Sequence, residues 1–188
     1  EAATKKTRSE IYDWLRCIVT AILVCVLIFI FAARIVGVVG SSMLPTLHEG
    51  DRIITSNLFY KPKQGDIVVF RKESFDERSL VKRVIATEFQ TVRIDFEQGI
   101  VYVDGEALQE AYIYSPTHLS EGVEFPLVVD EGCVFALGDN RSISKDSRYL
   151  DIGLIDKQEI LGKAIYLFLP GTDEGHAGPD YERMGAIK

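Results

Sequence analysis

Apolar positions along the chain fall into two regimes. Residues 17–33 read CIVTAILVCVLIFIFAA, apolar on every helical face, with Thr20 the one polar side chain. After residue 35 the apolar residues break into short runs: GDRIITSNLF, GDIVVFR, LVKRVIA, TVRIDF, GIVYVDG, PLVV and GCVFALGDN. Each is rich in Val, Ile or Phe and bounded by Gly, Asp, Asn or Pro, which is the punctuation of strands rather than of helices. The pattern predicts one N-terminal helix followed by a mainly β domain of barrel type. Residues 95–99 and the pair Asp104-Gly105 are expected to turn hairpins. Residues 157–160 are expected to add one helical turn, and the charged stretch 73–78 to form a solvated loop.

The apolar helix invites a membrane reading. At ~1.5 Å per residue it spans about 25 Å, close to a hydrocarbon layer of ~30 Å. Tyr12 and Trp14 sit where an interfacial aromatic belt would lie, and Arg16 and Arg34 bracket the run. A cleaved signal peptide is disfavoured because the run exceeds an h-region of roughly 7–15 residues and ends on a poor cleavage site, Ala32-Ala33-Arg34. A buried helix would not need to be apolar on all faces. A retained single-pass anchor is therefore expected, with Lys5, Lys6, Arg8 and Arg16 holding the N-terminus in the cytoplasm. The expected organisation is a cytoplasmic segment 1–16, an anchor 17–33 in the cell membrane, an extracytoplasmic β domain 34–170, and a flexible tail 171–188.

Charge and composition narrow the chemistry. A formal net charge of −7 argues against a nucleic-acid partner. Cys17 and Cys25 lie in the apolar run and Cys133 stands alone, so no disulfide framework is implied. His48, His118 and His176 are scattered, without metal-ligand spacing, so no zinc site is expected.

Three clusters carry candidate chemistry. The first is Gly40-Ser41-Ser42-Met43-Leu44-Pro45-Thr46-Leu47, where a glycine before two serines lets the backbone turn and expose a hydroxyl beside a free N–H; a plain turn is the bland alternative. The second is Lys82, in the strand-like run 80–86, where period two puts Lys82, Val84 and Ala86 on one face and Arg83 on the other. Facing inward, Lys82 would lose its proton easily enough to serve as a base; at a sheet edge it would only guard against aggregation. His48 is the rival base, but no acidic residue is obviously dedicated to orienting it. The third cluster, 138–148, reads GDNRSISKDSR, and could hold an Asp146–Arg148 ion pair under a site. The S-x-x-K pattern occurs twice, at Ser79–Lys82 and Ser142–Lys145, without the companion motifs of penicillin-binding enzymes, and carries no weight.

In this order, the clusters resemble the bacterial type I signal peptidase (leader peptidase) family, whose pattern runs G-x-S-M-x-P-T-L, G-D, K-R-V and G-D-N-R-x-x-S-x-D-S-R. Here those are residues 40–47, Gly50-Asp51, Lys82-Arg83-Val84 and residues 138–148. The short spacing from Ser42 to Lys82 is similar to compact Gram-positive members. The resemblance implies a serine endopeptidase with a Ser–Lys dyad: Ser42 as nucleophile, Lys82 as general base, Ser144 hydrogen-bonded to the lysine amine, and Asp146 with Arg148 as a supporting ion pair. It implies signal peptides of exported preproteins as substrates, cut after small residues at the first and third positions before the bond, and a lipid bilayer as the second partner. It also implies that neither a metal nor an organic cofactor is needed. Gly40 stands where some members carry a serine that donates to the oxyanion, which leaves the second donor open. Self-cleaving repressors share the dyad but carry a DNA-binding domain where this chain has its apolar helix. A tethered β module that binds without cutting would not need the intact set of five residues.

Overall fold

The computed structural model describes residues 2–72, 79–172 and 178–187, with side chains described for 10–27 and from 33 onward within those spans. The expected loop 73–78 and His176 lie outside the described residues. The chain divides into two units, Glu1–Arg34 and Ile35–Lys188.

The first unit is a single helix, α1 (Ala2–Ala32). Among the described residues, no helix is long and apolar enough to cross a membrane. Over 10–27, where its side chains are described, α1 carries Glu10, Asp13 and Arg16 alongside its apolar residues, and charge at that density opposes transfer into hydrocarbon. Positions 28–32 of the expected span lie outside the described side chains. The expected anchor at 17–33 is thereby corrected. The single-pass topology, the placement of the β domain outside a cell membrane, and the bilayer as a partner rested on that span and fall with it.

The second unit is mainly β, as the short punctuated runs predict. Its strands are β1 (Arg34–Gly37), β2 (Arg52–Ser56), β3 (Ile67–Phe70), β4 (Leu80–Thr87), β5 (Thr91–Asp95), β6 (Ile100–Val103), β7 (Glu106–Ala107), β8 (Leu127–Val128), β9 (Cys133–Leu137), β10 (Ile155–Asp156), β11 (Ile160–Leu169) and β12 (Gly185–Ala186). The larger sheet runs β1-β2-β11-β3-β4-β9-β10, with β12 added alongside β11. The smaller sheet runs β7-β6-β5-β8. Val92, Ile94, Val101 and Val103 of the smaller sheet pack with Ile85, Phe135 and Leu137 of the larger one into one buried cluster. A second cluster, built on Val38, Met43, Leu47, Ile53, Val69 and Val81, lies under the chain between β1 and β2.

Local chemistry explains the turns. Asp95 accepts from the backbone N–H groups of Glu97 and Gln98 through its side chain and from Gly99 through its carbonyl, closing the β5–β6 hairpin. Asp104 and Gly105 sit at φ 52° and 87°, the left-handed pair that a tight β6–β7 turn requires. The helical turn expected at 157–160 forms as a 3-10 turn, Lys157–Glu159, capped reciprocally by Asp156 and Glu159. The described part of the C-terminal stretch, 178–187, holds another 3-10 turn, Tyr181–Arg183, and then β12.

Candidate active site

The chain between β1 and β2 carries Ser42. Gly40 adopts φ 80°, the left-handed conformation expected for the turn that presents the serines. Met43 and Leu47 are sunk into the cluster beneath, which pins the loop on either side of the Pro45 turn. Asn140 holds it from the opposite side: its backbone N–H donates to the Ser42 carbonyl at 3.0 Å, and its side-chain amide to the Ser41 carbonyl at 3.2 Å.

Lys82 reaches the same point from β4. That strand lies inside the larger sheet, paired with β3 through Val68↔Lys82 and with β9 through Arg83↔Leu137. Lys82 is therefore not an edge lysine; it is 2% exposed. Its Nζ lies 2.8 Å from Ser42 Oγ and donates to its neighbour's carbonyl, Val81 O, at 2.9 Å. Burial pushes its ammonium down to about 8, opposed by the pull of the Asp146 and Asp139 carboxylates and helped by repulsion from Arg148. A lysine in that range holds a substantial neutral fraction near physiological pH, with a lone pair able to take a hydroxyl proton.

Asp146 and Arg148 form the ion pair read from the sequence, and both side chains are fully buried. Arg148 Nε and Nη2 meet the two carboxylate oxygens at 2.8 and 3.0 Å. Nη2 also donates to the carbonyls of Arg141 and Ser144, and Asp146 accepts from the Gly138 N–H. The pair thus staples both ends of the 138–148 loop. Ser144 is brought into this cluster and buried, but among the described residues its Oγ has no hydrogen-bond partner. The acceptors of the Lys82 amine are Ser42 Oγ and Val81 O.

A second buried network ties the three motifs together, and sequence reasoning gave it no role. Asp139 accepts both arms of Arg83, at 2.9 and 2.7 Å, and the Thr46 hydroxyl at 2.5 Å. Arg83 also donates to the Gly65 carbonyl and stacks 4.1 Å from the centre of the Tyr112 ring. Its neighbours in the motifs, Thr46 after Pro45, Arg83 after Lys82, and Asp139-Asn140 after Gly138, were the available signal. Alternation along β4 also pointed there, since it sends Arg83 to the face opposite Lys82.

The two described histidines have partners of their own. His48 Nε2 lies 3.1 Å from Pro45 O, and His118 Nδ1 lies 3.0 Å from Phe96 O. Among the described residues, no group of His, Cys, Asp and Glu side chains could hold a metal ion. A cavity of about 490 Å³ lined by residues that include Ser56, Tyr60, Lys63 and Lys163 contains neither Ser42 nor Lys82.

Comparison with known proteins places the chain in a family. Residues 11–169 match the family described as signal peptidase, peptidase S26. A probable signal peptidase I-1 from Synechocystis sp. is 37% identical over 86% of this chain and 84% of its own length. Signal peptidase I T of Bacillus subtilis is 34% identical over 90% of this chain and 91% of its own. A crystal structure of a signal peptidase I from Enterococcus faecalis V583 matches at 29% identity and a TM-score of 0.46, covering 55% of this chain and 97% of that one. With a family match over most of its length and relatives covered nearly end to end, this chain belongs to the type I signal peptidase family and is a serine endopeptidase.

Proposed function

We propose that this endopeptidase removes signal peptides from exported preproteins, with Ser42 as nucleophile and Lys82 as general base. The observation that carries the reading is the 2.8 Å approach of a buried Lys82 amine to Ser42 Oγ. Neutral Lys82 takes the Ser42 proton as Oγ attacks the scissile carbonyl carbon, giving a tetrahedral oxyanion. The resulting ammonium gives that proton to the leaving amine as the C–N bond breaks, leaving an acyl ester on Ser42. Lys82, neutral again, takes a proton from water as the water oxygen attacks the ester carbonyl carbon, and the ammonium returns that proton to Ser42 Oγ as the ester C–O bond breaks, releasing the acid product and the free serine. The Ser42 N–H is the proposed first oxyanion donor, since it follows the turn at Gly40 that presents the hydroxyl. Asp146 and Arg148 act by fixing the 138–148 loop, and Ser144, whose Oγ is buried without a hydrogen-bond partner among the described residues, is the proposed hydrogen-bond partner of the Lys82 amine.

The test is cleavage of a preprotein whose signal peptide ends in small residues at the first and third positions before the cut. The purified chain should release the signal peptide by a single cut there, and Ser42→Ala and Lys82→Ala should each abolish it. Undiminished cleavage by either variant, or cutting without regard to those two positions, would contradict the proposal.

A further inference from the structure

The family match ends at residue 169, yet the chain beyond it returns to the foot of the nucleophile loop. That foot is a narrow closure in which the Val38 N–H donates to Asp51 O at 2.8 Å and the Gly50 N–H to Val38 O at 3.0 Å. At its centre the Asp51 carboxylate is fully buried. Within the loop, the His48 N–H donates to Oδ2 at 2.8 Å. The remaining donors come from beyond residue 169. The Gly171 N–H reaches Oδ1 at 2.7 Å, and Arg183 meets both oxygens, with Nη1 3.1 Å from Oδ1 and Nη2 2.7 Å from Oδ2.

Two further contacts make this a strap rather than a lone surface ion pair. Gly171 lies so close to Glu49 O and the Asp51 N–H that a Cβ there would overlap them. Beyond Arg183, β12 pairs with Tyr166 and Leu167 of β11, and Ile187 packs on the cluster that holds Met43, the residue next to Ser42. A bidentate guanidinium on a buried carboxylate fixes orientation as well as charge.

We infer that residues 170–172 and 178–187 form a positioning device for catalysis, with Arg183 as its positioning residue: by clamping Asp51 it holds the 38–51 loop so that Ser42 Oγ stays on Lys82 Nζ. The inference rests on the Ser42–Lys82 reading above. Arg183 touches neither the substrate bond nor the lysine, so its effect is on the population of aligned dyads. Misplacement of a reacting group by about 1 Å can lower a rate by as much as ~100-fold.

The experiment compares the full chain with Arg183→Ala and Arg183→Lys on a signal-sequence peptide, with rates normalised to active sites by the acyl-enzyme burst. In Arg183→Ala, kcat should fall roughly ten- to a hundred-fold with KM within about two-fold of the parent, because only alignment is lost. The acid limb of the pH profile should stay in place, because Lys82 is undisturbed. Guanidinium well below denaturing concentration should restore part of the rate, and sodium chloride at equal ionic strength should not. Arg183→Lys should lie between, since an ammonium keeps the charge and loses the fork. Should the alanine variant not fold, Arg183→Lys carries the same comparison. A kcat per active site within two-fold of the parent, a raised KM at constant kcat, or rescue by any salt would overturn the inference. A Ser42→Ala control that stayed active would remove the dyad reading instead, whereas an inactive control beside a full-rate Arg183 variant would remove only the strap.

Discussion

Lys82 Nζ stands 2.8 Å from Ser42 Oγ although forty positions separate the two residues in the chain. The contact depends on placing a lysine in the interior of a sheet. β4 is buried along both faces, and its neighbours β3 and β9 exclude water from Lys82 without supplying an ion-pair partner at contact distance. The carboxylates nearest in charge are already committed, Asp139 to Arg83 and Asp146 to Arg148. The amine is left with a hydroxyl and a carbonyl, both acceptors that a neutral amine satisfies as well as an ammonium does.

Ser41 and Ser42 are adjacent hydroxyls, and the geometry separates them. Ser42 Oγ meets the Lys82 amine, while Asn140 holds the backbone carbonyls of both serines. Ser42→Ala should lose at least ~1000-fold in kcat/KM, comparable to loss of an essential nucleophile, and Ser41→Ala should stay within about ten-fold of the parent. Steady-state cleavage of one peptide by both variants checks this; the reverse order would move the nucleophile by one position.

Burying Lys82 opposes stability, with a sign set by its lowered pKa. The folded chain releases this proton near pH 8, and the unfolded chain holds it until about 10.5. The unfolded state therefore binds more protons between those values, so the penalty is complete below pH 8 and disappears as pH rises through 10.5. Lys82→Met should be inactive and more stable than the parent at pH 7, by up to about 3 kcal/mol. Its advantage should shrink toward pH 10. Denaturant unfolding at both pH values measures this; a Met variant less stable at pH 7 would show that the lysine is not buried against its charge.

Gly138 couples the two sides of the site. A Cβ there would stand 2.5 Å from Ser144 Cβ and 2.5 Å from the Ser42 carbonyl oxygen. Its backbone lies outside the left-handed region, so alanine would be excluded by crowding alone. Gly138→Ala should destabilise by roughly 1–3 kcal/mol, as overpacking does, and should lower kcat in the folded fraction. Thermal unfolding alongside active-site-normalised rates tests it; a variant with parental stability and rate would mean the loop yields freely.

Arg148 fills four acceptor groups at once: the Asp146 carboxylate and the carbonyls of Leu119, Arg141 and Ser144. Arg148→Ala strands a buried carboxylate and should cost about 3–5 kcal/mol. Arg148→Lys should recover only part, since one ammonium cannot span those acceptors. Unfolding in urea distinguishes the cases; equal stability of parent and Arg148→Lys would make the fork unimportant.

Much of this arrangement was legible in the sequence because it is local. Short Val- and Ile-rich runs ended by Gly or Asp gave most strands, and period two along 80–86 put Lys82 and Arg83 on opposite faces. β11 escaped the same reading: bulges between Ala164 and Tyr166 and between Leu167 and Leu169 break its alternation, although it is the longest strand and sits between β2 and β3. The Thr46–Arg83–Asp139 network and the Asp51–Arg183 pair were out of reach because they join positions 37 to 132 residues apart. The membrane expectation set Arg16 at the edge of the apolar run 17–33 and left out Glu10 and Asp13, which share the same helix.

The central claim, that a neutral lysine activates Ser42, is tested most directly by the pH dependence of kcat/KM. That profile reports the free enzyme, in which Lys82 must be deprotonated to act. The rate should rise along a single acid limb with its midpoint near the value of about 8 set by burial of Lys82, and the limb should persist unchanged in His48→Ala and His118→Ala. A limb near ~6.5, the ordinary histidine value, that vanishes in either histidine variant would contradict it and assign the base to that histidine.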